Sequence, residues 1–289
     1  MKKHYTIAEL EKIANKIRQD IIKMLIASGS GHSAGPLDMA DIFTALYFRV
    51  LKHDPKRPRW KERDRLILSS GHICPVRYAA MAHAGYLPKK ELKTLRKIGS
   101  RLEGHPSIKK IAALETSSGP LGEGLAQACG FAMAARMDGM QNKYHIWCVM
   151  SDGEHQEGMT WEAAMFAGKN RLSNLTVIID RNNIQIDGYT EDVMPLEPLQ
   201  EKYKAFGWHV EDINGHDMEQ IISTLEEARA TAEKPVCIIA HTIPGKGVDF
   251  METGSKRFEW HGATPSSEQG KEALKELRTL GGKIESETD

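Results

Sequence analysis

From Ile7 onward, apolar side chains recur at helical spacing through Ile13, Ile17, Ile21, Met24 and Leu25, and Thr6 with Glu9 forms a capping-box pattern at the start. This first helix should stop at Gly29-Ser30-Gly31. A second helix is expected over about 37–51, followed by a polar loop over 53–63 that carries Pro55 and Pro58. Arg65-Leu66-Ile67-Leu68 reads as a short buried strand ending at Ser69-Ser70-Gly71-His72. Beyond it the pattern becomes strand, loop, helix, repeated. Strand candidates at 145–150, 175–180, 209–213 and 236–241 alternate with helical patterns, among them 125–137. Continuous apolar strands interleaved with helices imply a parallel sheet covered on both faces. The expected fold class is therefore α/β, a doubly wound, mostly parallel sheet with helices on both faces. It forms one domain over 1–289 with a frayed tail from about 284.

Ligands of such sheets bind beyond the carboxyl ends of the strands, and the unusual polar and glycine-rich motifs fall there. Gly71-His72 follows the first strand, Ser151-Asp152-Gly153-Glu154 the second and Arg181-Asn182-Asn183 the third. His241-Thr242-Ile243-Pro244-Gly245-Lys246-Gly247 follows the last.

Composition narrows the picture. The 289 residues, 40% hydrophobic and 27% charged, suit one ordinary globular unit, and 39 basic residues balance 39 acidic ones. That balance gives no broad electrostatic footprint for a nucleic acid, so an anionic ligand has to be held locally. Cys74, Cys129, Cys148 and Cys237 show no metal-type spacing and read as reduced thiols. Charged residues interrupt the amino-terminal stretch, and no run approaches the ~20 apolar residues of a membrane span. A cytoplasmic location is expected.

The strand-to-strand unit over 146–188 carries the most specific chemistry. Asp152 and Asn182, thirty positions apart, fall at the carboxyl ends of two strands expected to be neighbours. A carboxylate and an amide oxygen are hard ligands suited to Mg²⁺ or Ca²⁺, and Mg²⁺ commonly completes its shell with phosphate oxygens. Gly153 lets the backbone approach a phosphate closely. Taken alone, Ser-Asp-Gly and Arg-Asn-Asn read as simple turns. Together they resemble the thiamine-diphosphate fingerprint, Gly-Asp-Gly followed about 25 to 30 residues on by Asn. Ser151 stands where that fingerprint has its first glycine; both ligand positions are intact.

With this motif in view, nearly the whole chain resembles the amino-terminal part of transketolase. The resemblance is carried by Gly29-Ser-Gly-His32, Asp64-Arg-Leu-Ile-Leu-Ser-Ser-Gly-His72, Gly104-His105-Pro106, Gly119-Pro-Leu-Gly-Glu-Gly124 and Trp260-His261-Gly262, in that order. It implies that Asp152, the Asn182 side chain and the Ile184 carbonyl hold the metal. His72, Gly153 and His261 would contact the diphosphate, and Gly119, Pro120 and Leu121 would lie near the thiamine rings. His32, His105 and His261 would face the substrate as catalytic residues. Glu157 would lie close to the partner's cofactor-activating glutamate.

Histidine suits such tasks because its titration range spans neutrality. His4, His53, His83, His145 and His209 carry the bland reading of surface or satisfied core residues, while His155 and His216 stay undecided. Gly119–Gly124 lacks the Gly-Lys-Ser/Thr ending of a nucleotide-binding P-loop and reads as a close-approach loop opening a helix. Ile243–Val248 is expected to cover the site. Arg77 has two readings, recognition of an anionic group near His72 or a solvated place on a helix.

The resemblance also implies what is missing. A complete transketolase is more than twice this long and has a second α/β domain, whose glutamate activates the cofactor. The chain is thus expected to be inactive alone, as one subunit of a split enzyme completed by a carboxyl-terminal subunit, with a heterotetramer as the family assembly. A truncated piece of a longer protein is the other origin. The expected reaction is transfer of a two-carbon ketol unit from a ketose, a phosphate or related anionic sugar, to an aldose. Alternatives are a deoxyxylulose-phosphate synthase-like or dehydrogenase E1-like component, or a non-catalytic cofactor-binding scaffold.

Overall fold

Thr6 starts the first helix in the way its spacing predicts. Its Oγ1 accepts from Glu9 N at 3.2 Å while its own N donates to Glu9 Oε2 at 2.9 Å. In the computed structural model, which describes residues 5–254 and 257–286, α1 spans Ile7–Ser28 and ends at Gly29, whose φ of 68° is the left-handed conformation of a helix cap.

The second helix differs from expectation. It begins earlier and is broken into α2, Ala34–Asp38, and α3, Ala40–Ala45, followed by a π-helical turn over Leu46–Val50. Pro36 sits inside α2 because the first turn needs no donor from it. Met39, at φ −81° and ψ 3°, interrupts the helical geometry.

Strand β1 is Arg65–Leu68 and leads through a single 3₁₀ turn into α4, Cys74–His83. Helix α5 is Glu123–Met137, β2 is Ile146–Ser151, α6 is Gly158–Lys169 and β3 is Leu175–Arg181. A hairpin that the sequence pattern does not predict follows, β4, Ile184–Gln185, and β5, Gly188–Tyr189, then the short helices α7, Thr190–Val193, and α8, Leu199–Ala205. Strand β6 is His209–Asn214, α9 is Met218–Ala230, β7 is Val236–His241, α10 is Asp249–Glu252 and α11 is Ser267–Ser286. Helix α11 ends at Ser286, and residues 287–289, part of the expected frayed tail, lie outside the described residues.

The five long strands pair in the order β1-β2-β3-β7-β6, every neighbour parallel. Side chains alternate between two cores. Leu66, Leu68, Trp147, Val149, Ile178 and Ile238 pack in the core that includes α1, α4 and α9. Ile67, Cys148, Met150, Val177, Ile179 and Ile239 pack in the one that includes α5, α6 and α8. Burial on both faces explains why β2, β3 and β7 read as continuous apolar runs, while β6 at the sheet edge is largely exposed. All four cysteines are free and buried within these layers. Among the described residues no helix is long and apolar enough to cross a membrane.

Candidate functional site

The register of β2 and β3 pairs Ser151 with Asp180, so the turns after both strands emerge side by side at one end of the sheet. Asp152, fully buried, is held there from three directions. Its Oδ1 accepts from Gly153 N at 2.7 Å, and its Oδ2 from Asn183 N at 2.8 Å and Arg181 Nη1 at 3.0 Å. Burial pushes the carboxyl up to about 6, against the pull of Arg181 and the two backbone amides. Arg181 is itself tied to Thr190, Glu191 and Glu197, which fixes the Asp152 carboxylate in place.

Asn182 is oriented by groups on both sides. Its Nδ2 donates to Asp38 and to Asp180, each at 3.1 Å, and its Oδ1 accepts from Ile184 N at 3.1 Å. Burial raises the Asp38 and Asp180 carboxyls, and repulsion from neighbouring carboxylates adds to it. Thr242 Oγ1 closes the group by donating to Asp180 at 2.5 Å. Among the described residues no three His, Cys, Asp or Glu side chains converge to hold a metal ion. A cation at this turn would need a mixed oxygen set, for which the Asp152 carboxylate, the Asn182 amide oxygen and the Ile184 carbonyl are candidates of the hard chemistry that Mg²⁺ or Ca²⁺ takes.

Three imidazoles pack together. Ring centroids are 5.0 Å apart for His32 and His72, 4.9 Å for His72 and His261, and 5.7 Å for His32 and His261. Burial, then repulsion from the neighbouring His261, drives His32 down to about 4, and burial alone takes His261 there. His72 lies well below its ordinary value, from burial first and the surrounding histidines second. All three rings are thus neutral near pH 7 and able to donate and accept. His32 Nδ1 is buried and has no hydrogen-bond partner among the described residues.

Backbone contacts assemble this cluster. Ser33 N donates to Trp260 O at 3.4 Å and Ser33 Oγ to Ala263 O at 2.6 Å, tying the His32 loop to the His261 loop. A Cβ on Gly71 would lie 2.6 Å from Ser118 Cβ, 3.0 Å from His105 Cδ2 and 3.2 Å from Gly119 N. Glycine is required there because the His72, His105 and Gly119 segments meet at that point. Pro120 and Leu121 are exposed, and Glu157 lies beyond Gly122, where a Cβ would be 3.2 Å from its own.

Sequence reasoning missed Glu154, which the structure makes central. It is fully buried and accepts from Gly122 N at 2.9 Å and Ser151 N at 2.8 Å, and from the Ser69 hydroxyl. Ser69 Oγ in turn accepts from Gly124 N at 3.1 Å, and a Cβ on Gly124 would meet Ser69 Cβ at 2.3 Å. One carboxylate thus joins the end of β1, the Gly119–Gly124 loop and the metal-type turn. An acid two residues after Asp152 is its one trace in the sequence.

His155 and His216, undecided from sequence, hold loops. His155 Nδ1 lies 3.0 Å from Ser151 O, and its Nε2 lies 2.9 Å from Tyr203 Oη. His216 Nε2 accepts from Ile243 N at 2.9 Å, and its Nδ1 lies 2.9 Å from Asp41. The Ile243–Val248 loop also reaches Ala34 O through Gly245 N at 3.3 Å, beside the His32 loop. His53, His83 and His145 are satisfied by Tyr86, Asp20 and Thr176, and His209 is exposed with Glu211; His4 lies outside the described residues. Arg77 is not a solvated residue on a helix: it is 1% exposed, and its guanidinium donates to Leu66 O at 2.7 Å.

Residues 10–282 match the family model described as transketolase, thiamine diphosphate binding domain. The chain is 42% identical over 273 residues to the 6-deoxy-6-sulfo-D-fructose transketolase subunit of Clostridium sp. strain MSTE9, covering 94% of this chain and 98% of the relative. It is 38% identical to an apulose-4-phosphate transketolase subunit of Phocaeicola vulgatus, covering 98% and 99%. The crystal structure of transketolase from Campylobacter jejuni superposes with a TM-score of 0.86 at 37% identity. That match covers 97% of this chain but 43% of the longer one.

Proposed function

The chain belongs to the transketolase family, as its thiamine-diphosphate-binding domain, and on that premise we propose that it is the diphosphate-binding subunit of a two-subunit ketol transferase that uses anionic sugars. One observation carries the reading. The Asp152 and Asn182 turns share one end of the sheet, and the segments after α1, after β1 and before α11 bring His32, His72 and His261, a trio of neutral imidazoles, within 4.9–5.7 Å of one another.

Asp152, the Asn182 amide oxygen and the Ile184 carbonyl would hold Mg²⁺ or Ca²⁺. His72, His261 and Gly153 would bind the diphosphate, and Gly119, Pro120 and Leu121 would flank the thiamine rings. When bound, thiamine diphosphate supplies the electron sink that transfer of a two-carbon unit requires. His32, His105 and His261 would position the sugar hydroxyls and exchange protons with them. As neutral rings they offer one donor and one acceptor each without a fixed charge. Two relatives of nearly the same length carry names that specify a sulfonated or a phosphorylated sugar, which favours an anionic ketose donor here.

The word subunit in those names supports a separate partner, and in our reading that partner would supply the pyrimidine-side pocket and its activating glutamate, in a heterotetramer. Leu121, Glu157 and the exposed Ile186, Val193 and Met194 would turn toward it. The region 1–289 acts as one unit in this scheme, working in the cytoplasm.

Calorimetric titration of thiamine diphosphate with Mg²⁺ tests the metal assignment, using the chain joined to its partner with and without Asp152→Ala. Equal affinity in the two would remove Asp152 from the metal site. Ketol transfer by the purified chain without a second polypeptide would overturn the two-subunit reading.

A further inference from the structure

Arg77 lies in the first turn of α4 and is 1% exposed. Its Nη2 donates to Leu66 O at 2.7 Å and the Tyr47 hydroxyl interacts with the guanidinium, whereas Nε and Nη1 are buried with no hydrogen bond of regular geometry among the described residues. A guanidinium has five donors and no acceptor, and it does not deprotonate. The group therefore cannot discharge its burial by losing a proton.

Its surroundings leave the charge uncancelled. Arg77 lines a small cavity of about 20 Å³ together with Tyr47, Arg63, Asp64, Tyr86 and Glu115. Both carboxylates there are already committed. Glu115 accepts from Arg63 Nη1 and Nη2 at 2.5 and 2.6 Å, and Asp64 is paired with Arg229. Burial raises the Tyr47 and Tyr86 hydroxyls above their ordinary range, so neither supplies a negative charge near neutral pH. Each acid has its own arginine, and Arg77 is left with no ion pair among the described residues. A buried charge without a counter-charge is strongly unfavourable.

We propose that this cavity is a binding site for one small monovalent anion of halide size, held by the free Nε and Nη1 donors of Arg77. A cavity above ~10–15 Å³ takes a single water-sized species, and a halide is the anion nearest that size. The unsatisfied groups are N–H donors on a cation, so an acceptor carrying negative charge suits them better than a water, which would leave the charge in place. The site adjoins Leu66 in β1, whereas His72 follows the carboxyl end of that strand, so it stands apart from the proposed cofactor site. Bound there, the anion would fasten the start of α4 to β1.

The test is thermal unfolding of the full chain in sodium chloride and in sodium gluconate at equal ionic strength, for the wild type and Arg77→Leu. The wild type should show a saturable rise of roughly 2–4 °C specific to chloride, and Arg77→Leu should show none. Identical curves in the two salts, or the same chloride rise in the variant, would overturn the proposal. Should Arg77→Leu not fold, wild-type crystals grown in bromide decide it. An anomalous peak within hydrogen-bond reach of Arg77 supports the site, and cavity density without anomalous signal marks a water and refutes it.

Discussion

The side-chain amide of Asn182 donates to the Asp38 carboxylate across 3.1 Å, joining segments 144 residues apart. With Asp180 accepting from the same nitrogen, the amide cannot flip, and its oxygen stays on the side of the Ile184 backbone. Groups behind a metal ligand set its orientation, and their loss typically costs about 10–100-fold in affinity. Asp38→Ala should weaken Mg²⁺-dependent cofactor binding by about that factor, read by calorimetry. Unchanged affinity would mean that Asp180 alone suffices to hold Asn182.

Glu154→Ala removes the acceptor shared by Ser69, Gly122 and Ser151 and strands buried donors. Each unsatisfied buried group costs about 1–3 kcal/mol. Chemical denaturation should therefore report a loss of roughly 2–4 kcal/mol. A variant as stable as the parent would show that the three segments are fastened by other contacts.

Gly71→Ala places a methyl group 2.6 Å from Ser118 Cβ and 3.0 Å from His105 Cδ2. The loops carrying His72 and His105 must separate to admit it. Misplacement of catalytic groups by about 1 Å can cost 10²-fold in rate, so ketol transfer by the reconstituted pair should fall roughly 10–100-fold while circular dichroism is preserved. Full activity would show that the two loops need not touch.

The histidine cluster makes a pH prediction whose sign follows from its surroundings. His32 and His261 are depressed from 6.5 to about 4, so each stays neutral until the pH falls toward 4 and then gains a charge. Histidine NMR titration should place both far below 6.5; a His32 titrating at its ordinary value would contradict the packing. Arg96 lies 2.7–3.2 Å from where a Cβ on Gly104 would sit, and its positive charge contributes to lowering His32 and His105. Removing that charge stabilises the protonated rings. Arg96→Met should therefore raise both pKa values, while Arg96→Lys should largely preserve them.

Much of the fold is legible in the chain itself. The apolar runs locate β1, β2, β3 and β7 to within a residue or so, because strands buried on both faces leave an unbroken signal, and the largely exposed edge strand β6 is located by its place in the strand-helix alternation. The second helix reads as continuous when it is not. Its break at Met39 and its π-helical turn reflect packing against α1, α4 and α9, and local periodicity does not record such packing. The β4-β5 hairpin escapes notice because two-residue strands carry no periodicity at all.

The sequence by itself determined the class of sheet, the identities of Asp152 and Asn182 and the glycine-flanked histidines, since residue types and their spacing are local properties of the chain. Only the tertiary structure decided that Asp38 orients Asn182, that Glu154 binds three segments together, and that Arg77 is buried without a counter-charge. The first two depend on contacts between groups 32 to 144 residues apart in the chain, and the environment of the buried Arg77 charge is set by groups such as Tyr47, Leu66 and Glu115 that are distant from it in the sequence.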